Sequence, residues 1–593
     1  MERKDIDKKY KWDLSEIYKN EDAYKEDKER LLKLVDTEES YKGRVLESSK
    51  SLQEILDLDT EIERVISKMY VFRSLQTELD TRDGKAAASL KELMDLYSTL
   101  SVRVSFISTE LSKLTKEKKE EFIKENPNLE KYRFTLTKII RHSKHILSLE
   151  NEELLSAISP VIDVGSDVFN MIDNADIVLE DIKDSKGKKH KLTSGTFNEY
   201  VRSSDRTLRK EAYYKMHEYY KKHENSISEC LASHIKTDVI FSRLRKYNSA
   251  LESHLMDDNL DEKFYNKVID DANKNLKTLH RMMRLHKKAL GVDELHIYDL
   301  NARIGKLKDK KYTIDEIIET VKDALGIMGP SYMKVVNEAF DENWVDFYET
   351  PGKRSGAFSS GCYDTKPYIL LNATGSFDDI ETLAHELGHS IHSYYSNKNR
   401  TQIDADYPIF LAEIASTTHE ILLNDYLLKS AKDNEMKKYI LNNILSMYKS
   451  TVFRQVEFGE FEKIVFDKTE AGENLTKDDF TSIYLDLQNK YYGKDVINDE
   501  IIKYECLRIP HFYRSFYVYK YATSLCIAYH FASDIINKKE NAVENYIKFI
   551  SSGGKAYPLD ILKECGIDLE KEDIMSYSIK LIEKYMDELE KLI

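Results

Sequence analysis

A mostly α protein is what this sequence predicts, and three observations predict it. Helix breakers are scarce, with 8 prolines and 20 glycines in 593 residues, so long helical runs go uninterrupted. Apolar residues recur at helical spacing over long stretches. Lysine and glutamate alternate through runs such as Lys116–Glu121, the pattern of solvated helix faces. Hydrophobic residues make up 41% of the chain, enough for a large core, and no Pro/Gly/Ser-rich linker divides it.

In chain order, helices are expected from about residue 20 to 160. Ile177–Ile182, a turn at Ser185-Lys186-Gly187, and His190–Thr193 then read as a β hairpin. The expected organisation is a helical N-terminal lobe over residues 1–195 that ends in this hairpin, followed by a second domain over 196–593. Helices resume near 196–290. A second β patch follows at Trp344–Glu349, Ala357–Tyr363 and Pro367–Asn372. The last of these runs toward a helix expected over about 377–396. Its edge is expected either to pair with an extended peptide by strand addition or to belong to a small structural sheet. Gly352, Gly356 and Gly361 punctuate the patch, and the loop Pro351–Gly356 reads as a mobile cover. A further helix is expected over about 408–428, with Pro408 suited to its first turn.

Composition excludes several classes. The net charge of −15 argues against a nucleic-acid partner and favours cationic over anionic peptides. The cysteines Cys230, Cys362, Cys506, Cys526 and Cys565 are few, odd in number and without metal-type spacing, which fits a reducing, cytoplasmic compartment. Cys362 reads either as a packed thiol or as a thiolate that quenches the metal. No run is long enough to span a bilayer, and no apolar h-region follows Met1–Asp5.

The most informative segment is His385-Glu386-Leu387-Gly388-His389. Residues four apart share one helical face, so both imidazoles can grip one ion. Glu386 is turned about 100° from His385, where it can reach a metal-bound water. Zinc lowers the pKa of such a water to about 7, and a neighbouring carboxylate can accept the proton. Ser376 begins an S-x-x-D start signal ending at Asp379, and Ile380, Leu383, Ala384, Leu387, Ile391, Tyr394 and Tyr395 supply the helical apolar stripe. The competing reading is a core helix with solvated or hydrogen-bonded histidines. His392 follows on nearly the same face as a second-shell donor, substrate contact or packed histidine. A catalytic zinc usually has three protein ligands and an open position. Glu413, one turn into the next helix and flanked by Ala412 and Ile414, and Glu420, two turns further on, are the candidates for the third, with His419 a weaker one. Either glutamate can instead lie on a solvated face.

Residues 510–521 are dense in hydroxyl-bearing aromatics. Tyrosine O–H and histidine N–H suit the oxyanion that develops when water attacks a carbonyl, whereas the same cluster also reads as an aromatic core patch.

Together these segments carry a family resemblance. His385–Ser396 resembles the zinc helix of oligoendopeptidase F, of the thimet-oligopeptidase-like metallopeptidases. Tyr10-Lys11-Trp12-Asp13-Leu14-Ser15-Glu16-Ile17-Tyr18, Phe410-Leu411-Ala412-Glu413-Ile414-Ala415-Ser416-Thr417 and Arg508-Ile509-Pro510-His511-Phe512-Tyr513 are similar to other parts of that family, in the same order. The resemblance implies a nearly all-α ellipsoid of two lobes enclosing a deep channel, with a small sheet beside the zinc helix. It implies that residues 196–593 are the metallopeptidase domain, that one Zn²⁺ is held by His385, His389 and Glu413, and that Glu386 is the base. It places His511 against substrate or oxyanion, and the family's tyrosine donors among Tyr513, Tyr517 and Tyr519. Short unstructured peptides would be the substrates. His419, where relatives usually carry asparagine, and Ser524, where glycine is common, depart from the pattern and bear on substrate preference. The implied activity is endopeptidase. A carboxypeptidase or dipeptidyl-carboxypeptidase using Arg514 or Lys520 for a terminal carboxylate is the enzymatic alternative. A peptide-binding helical protein with structural zinc is the non-enzymatic one.

Overall fold

The computed structural model describes residues 2–158, 161–307 and 310–593. Helices dominate, and the β structure is limited to a two-stranded and a three-stranded sheet among the described residues. The chain divides into two compact units, each assembled from three segments. The first unit comprises Met1–Leu149, Lys310–Tyr426 and Phe531–Ile567. The second comprises Glu150–Asp309, Leu427–His530 and Asp568–Ile593. The chain crosses between them five times, and the crossings after Leu149, Tyr426 and His530 fall inside helices, where composition marks no linker.

In the first unit, three helices follow the N-terminus: α1 (Glu21–Glu39), α2 (Ser49–Leu79) and α3 (Gly84–Val104). Each begins at a side-chain cap, from Asn20, Ser48 and Asp83, which satisfies amides that the helix leaves unpaired. Leu31, Val35, Met69, Phe72 and Leu75 from these helices bury against Trp12, Tyr368 and Leu370. The N-terminal Trp12 motif is therefore a clasp on the sheet. Its indole N–H donates to the Trp344 carbonyl at 2.8 Å, and its ring meets Tyr368 edge-on at 5.6 Å.

The hairpin of the second unit is shorter than expected, with β1 at Ile182–Lys183 and β2 at Lys189–His190. The sheet of the first unit holds β3 (Val345–Tyr348), β4 (Phe358–Ser360) and β5 (Tyr368–Ala373) in the order β3-β5-β4. β5 pairs with β3 in parallel and with β4 antiparallel. Its first four residues are buried, as a strand covered on both faces requires. The central place of β5 corrects the expectation that its edge accepts a peptide: both its edges are already paired, and the free edges belong to β3 and β4.

The loop before β4 is also not a free cover. Thr81 donates its amide and hydroxyl to the Gly352 carbonyl at 2.7 and 2.9 Å. Arg82 donates to the Pro351 carbonyl, and the Arg354 amide to the Glu78 carbonyl. Lys353 is buried and pairs with the fully buried Asp346 at 2.7 Å. Glycine content alone suggested mobility, but long-range hydrogen bonds to the end of α2 pin the segment.

Candidate metal centre

Two helices of the first unit build the centre. The histidine helix spans Asp378–Asn399, and the carboxylate helix spans Ile409–Ser430. The start of the histidine helix keeps the acidic half of the expected S-x-x-D arrangement. Asp379 accepts hydrogen bonds from the Thr374 and Ser376 amides, at 2.9 and 2.8 Å. Ile380, Leu383, Ala384, Leu387 and Ile391 are buried along one face, as the apolar spacing predicts.

Gly388 sets how closely the helices approach. A Cβ there would lie 2.6 Å from the Ser416 Cα and 2.9 Å from the Ala415 carbonyl oxygen. Only glycine lets the backbones meet, and this contact sits one turn beyond Glu413. Gly388→Ala is therefore expected to push the helices apart, costing about 1–3 kcal/mol of stability and weakening metal binding. Thermal unfolding with and without zinc checks it, and an unchanged zinc affinity would refute it.

His385, His389 and Glu413 converge, with one donor atom from each within 4.8 Å of the others. The two Nε2 atoms are 3.2 Å apart, and Glu413 Oε2 lies 3.9 and 3.8 Å from them. Tetrahedral zinc with bonds of about 2.0–2.1 Å spaces its ligands about 3.3 Å apart. The imidazole pair already has that spacing, and the carboxylate is about half an ångström further out. Nitrogen and oxygen donors of this kind suit zinc. This is the one such three-residue group found among the described residues.

The outer nitrogens are committed elsewhere, which aims the inner ones. His385 Nδ1 lies 2.5 Å from Glu420 Oε1, and the His389 ring donates to the Ala412 carbonyl. Glu420, the alternative third ligand, therefore orients His385 from behind. Burial disfavours the charged form of His385, but the hydrogen bond and charge of Glu420 outweigh it and raise its pKa to about 9. Burial, reinforced by the His385 charge, depresses His389 to about 3.

Glu386 lies beside the trio and is buried. Burial raises its pKa, opposed by the nearby His385 charge and by the Ser359 amide that donates to it. The Ser359 hydroxyl is also 2.8 Å from that of Ser390, so β4 is stitched to the histidine helix.

Surrounding histidines lock the frame. His392 is buried and stacks on Tyr407 at 3.6 Å, with the rings 8° from parallel. That makes it a packed histidine, and burial lowers its pKa to about 3. His419, also buried, bridges the helices: its Nδ1 is 3.2 Å from the Ala384 carbonyl and its Nε2 is 2.5 Å from the Tyr332 hydroxyl. The Cys362 thiol is free, and burial raises its pKa.

The aromatic candidates belong to the second unit. His511 follows Glu505, a buried carboxylate that Arg454 reaches at 2.7 Å. Burial lowers the His511 pKa, and its Nδ1 has no hydrogen-bond partner among the described residues. Phe516 turns the chain with a φ of 58°, a left-handed conformation uncommon for a bulky residue. Its amide donates to Glu462 at 2.9 Å, and its ring packs on Phe466. That turn lays Tyr517 parallel to His511, at 5.8 Å between ring centres. Tyr521 meets Tyr517 edge-on at 5.7 Å and joins the group. Tyr513 instead stacks on Phe169 at 4.3 Å and donates to the Ile227 carbonyl. Tyr519 is buried against Phe264 and Tyr265. Of the three tyrosines singled out in sequence, only Tyr517 lies beside His511.

Sequence reasoning missed the roles of Ser359, Tyr332 and Tyr407. Their contacts cross between elements and leave no local pattern. The lone glycine inside the histidine motif was the one available signal for the close helix crossing.

Comparisons with known proteins span nearly the whole chain. The model of Peptidase family M3 matches residues 200–581, and that of Oligopeptidase F matches residues 110–178. Group B oligopeptidase PepB of Streptococcus agalactiae is 36% identical over 591 residues, covering 100% of this chain and 98% of the relative. Oligopeptidase PepF of Bacillus subtilis is 34% identical, covering 100% of this chain and 88% of its own length. The crystal structure of oligoendopeptidase-F from Enterococcus faecium superposes with a TM-score of 0.74 at 31% identity, covering 96% of this chain and 99% of that one.

Proposed function

The chain belongs to peptidase family M3, and from that premise we propose that it is a zinc-dependent endopeptidase acting on short oligopeptides. The observation that carries the reading is the trio His385, His389 and Glu413 around one point, with Glu386 held beside it. The relatives are named as oligopeptidases, which supports short peptides as substrates.

His385, His389 and Glu413 would hold the ion. When bound, zinc supplies Lewis acidity and brings the pKa of a coordinated water to about 7. Glu386 accepts the proton of the attacking water and delivers it to the departing amine. The packing around buried Glu386 fixes its carboxylate for both transfers. Glu420 and the Ala412 carbonyl keep the two imidazoles in the tautomer whose Nε2 is free to ligate. We assign the oxyanion-donor role to His511 and Tyr517, and packing roles to Tyr513 and Tyr519. Peptide pairing by strand addition, where it occurs in this unit, falls to β4 rather than β5.

Three observations weigh against the alternatives. A structural zinc has four protein ligands, and three are grouped here among the described residues. Lys520, one candidate anchor for a terminal carboxylate, is already paired with Asp258 at 2.6 Å. Arg514 lies over the Tyr517 ring. No helix among the described residues is long and apolar enough to cross a membrane, and all five cysteines are unpaired, which supports a cytoplasmic setting.

Internally quenched peptides with amidated C-termini are expected to be cut as fast as free-acid peptides, and a chelator is expected to abolish cutting of both. Loss of cleavage on amidation alone would make the enzyme a carboxypeptidase. Cleavage that survives the chelator would refute the metal reading.

A further inference from the structure

A cavity of about 340 Å³ in the first unit belongs to none of the groups described so far. It lies among α2, α3, the segment following β4 and the segment leading into the carboxylate helix. Tyr70, Met94 and Tyr97 line it and keep 45%, 45% and 46% of their surface exposed. Large apolar side chains gathered in one concavity and left in water mark a binding surface. Ile66, Val71 and Leu93 form its buried floor.

The charges at the rim are uneven. Arg64 is held by both carboxylate oxygens of Asp364, at 2.9 and 2.5 Å, so that pair is internally balanced. Glu63 and Asp406 also line the cavity and make no ion pair among the described residues. The cavity is thus apolar in its walls and acidic in its excess charge.

Its position ties it to the metal centre through the chain itself. The Ser359 hydroxyl of β4 bonds to Ser390 of the histidine helix at 2.8 Å, and Ser360, Gly361, Cys362, Tyr363 and Asp364 run directly into the cavity wall. From Ser359 to Cys362 is about 10 Å along an extended chain. The facing wall, which includes Gln402, Ala405 and Asp406, leads into the helix that carries Glu413.

We propose that this cavity receives one bulky aromatic or aliphatic side chain of the substrate peptide, about three residues from the scissile bond, and that it disfavours a carboxylate there. The proposal rests on the peptidase reading above. An extended peptide following β4 away from Glu386 brings such a side chain to the cavity mouth. Burying its apolar surface between Tyr70, Met94 and Tyr97 supplies the selectivity, and Glu63 and Asp406 repel an acidic residue.

The test is a set of quenched peptides in which Phe, Ala or Glu is placed in turn at each position on either side of the cut. At one position about three residues away, kcat/KM is expected to favour Phe over Ala by about tenfold, with Glu below Ala. Tyr70→Ala and Tyr97→Ala should each shrink the Phe-to-Ala ratio several-fold at that position while zinc content and melting temperature match the unsubstituted protein. Asp406→Asn should raise the Glu peptide relative to Ala. Binding of labelled Phe and Ala peptides to the Glu386→Gln protein reads the same ratio without turnover. Equal rates for Phe and Ala at every position, or a ratio that survives both tyrosine substitutions, would overturn the cavity's role while leaving metal-dependent cleavage standing. Failure to cut any peptide of the set would instead overturn the peptidase reading, and the binding ratio would still judge the cavity.

Discussion

Glu386→Gln is expected to lower peptide hydrolysis by about 10²–10⁴-fold with zinc content unchanged. The two parts of this outcome come from different parts of the geometry. Glutamine has nearly the shape of glutamate and fills the same buried place. His385, His389 and Glu413 are untouched, so the donor set keeps its spacing. What disappears is a group able to take a proton from water and return it to the leaving amine. Because both transfers use one carboxylate, the loss appears in kcat rather than in KM. Single-turnover cleavage alongside metal analysis reads both halves. Near-normal turnover in the substituted protein would remove Glu386 as the base, and a protein that has also lost its zinc would show a structural role instead.

Much of this site is legible in the sequence because it is helical. Two histidines four apart need only the 3.6-residue period to be placed on a common face, with the glutamate turned aside and the apolar stripe behind them, and the structure brings the two Nε2 atoms to 3.2 Å above a buried stripe. The existence of the three strands is likewise legible from short apolar runs. Their order is not, since pairing in a sheet joins residues far apart and a run as apolar as Tyr368–Leu371 fits a central strand and a half-buried edge equally well. The loop at Pro351–Gly356 misleads for a related reason. Its glycines are visible locally, whereas the Asp346–Lys353 pair and the hydrogen bonds from Thr81 and Arg82 that fix it come from distant segments. Tyr513, Tyr517 and Tyr519 are indistinguishable by composition, and only the left-handed turn at Phe516 separates the one beside His511 from the two packed among helices.

The sharpest test of the metal centre compares two glutamates seven residues apart on one helix. Both touch the histidine pair, but from opposite sides. Glu413 presents Oε2 to both inner nitrogens at 3.8–3.9 Å, whereas Glu420 binds the outer nitrogen of His385 at 2.5 Å. Glu413→Gln exchanges an anionic donor for a neutral amide. The ion would be left with two imidazoles and a weak third partner, so zinc should be lost on dialysis and activity with it. Glu420→Gln leaves all three donors in place. The amide oxygen still accepts the His385 Nδ1 proton, and what is lost is the negative charge that makes the imidazole a better ligand. Removal of such an outer partner typically costs about 10–100-fold in metal affinity, and the retained hydrogen bond argues for the lower end. The expected order of zinc affinity is therefore unsubstituted, then Glu420→Gln, then Glu413→Gln, measured by competition with a chromogenic chelator. The two replacements are the same chemical change on the same helix, so a general loss of helix stability would depress both alike. A reversed order would make Glu420 the ligand and would require His385 to turn its ring over, which the His389 contact at 3.2 Å opposes.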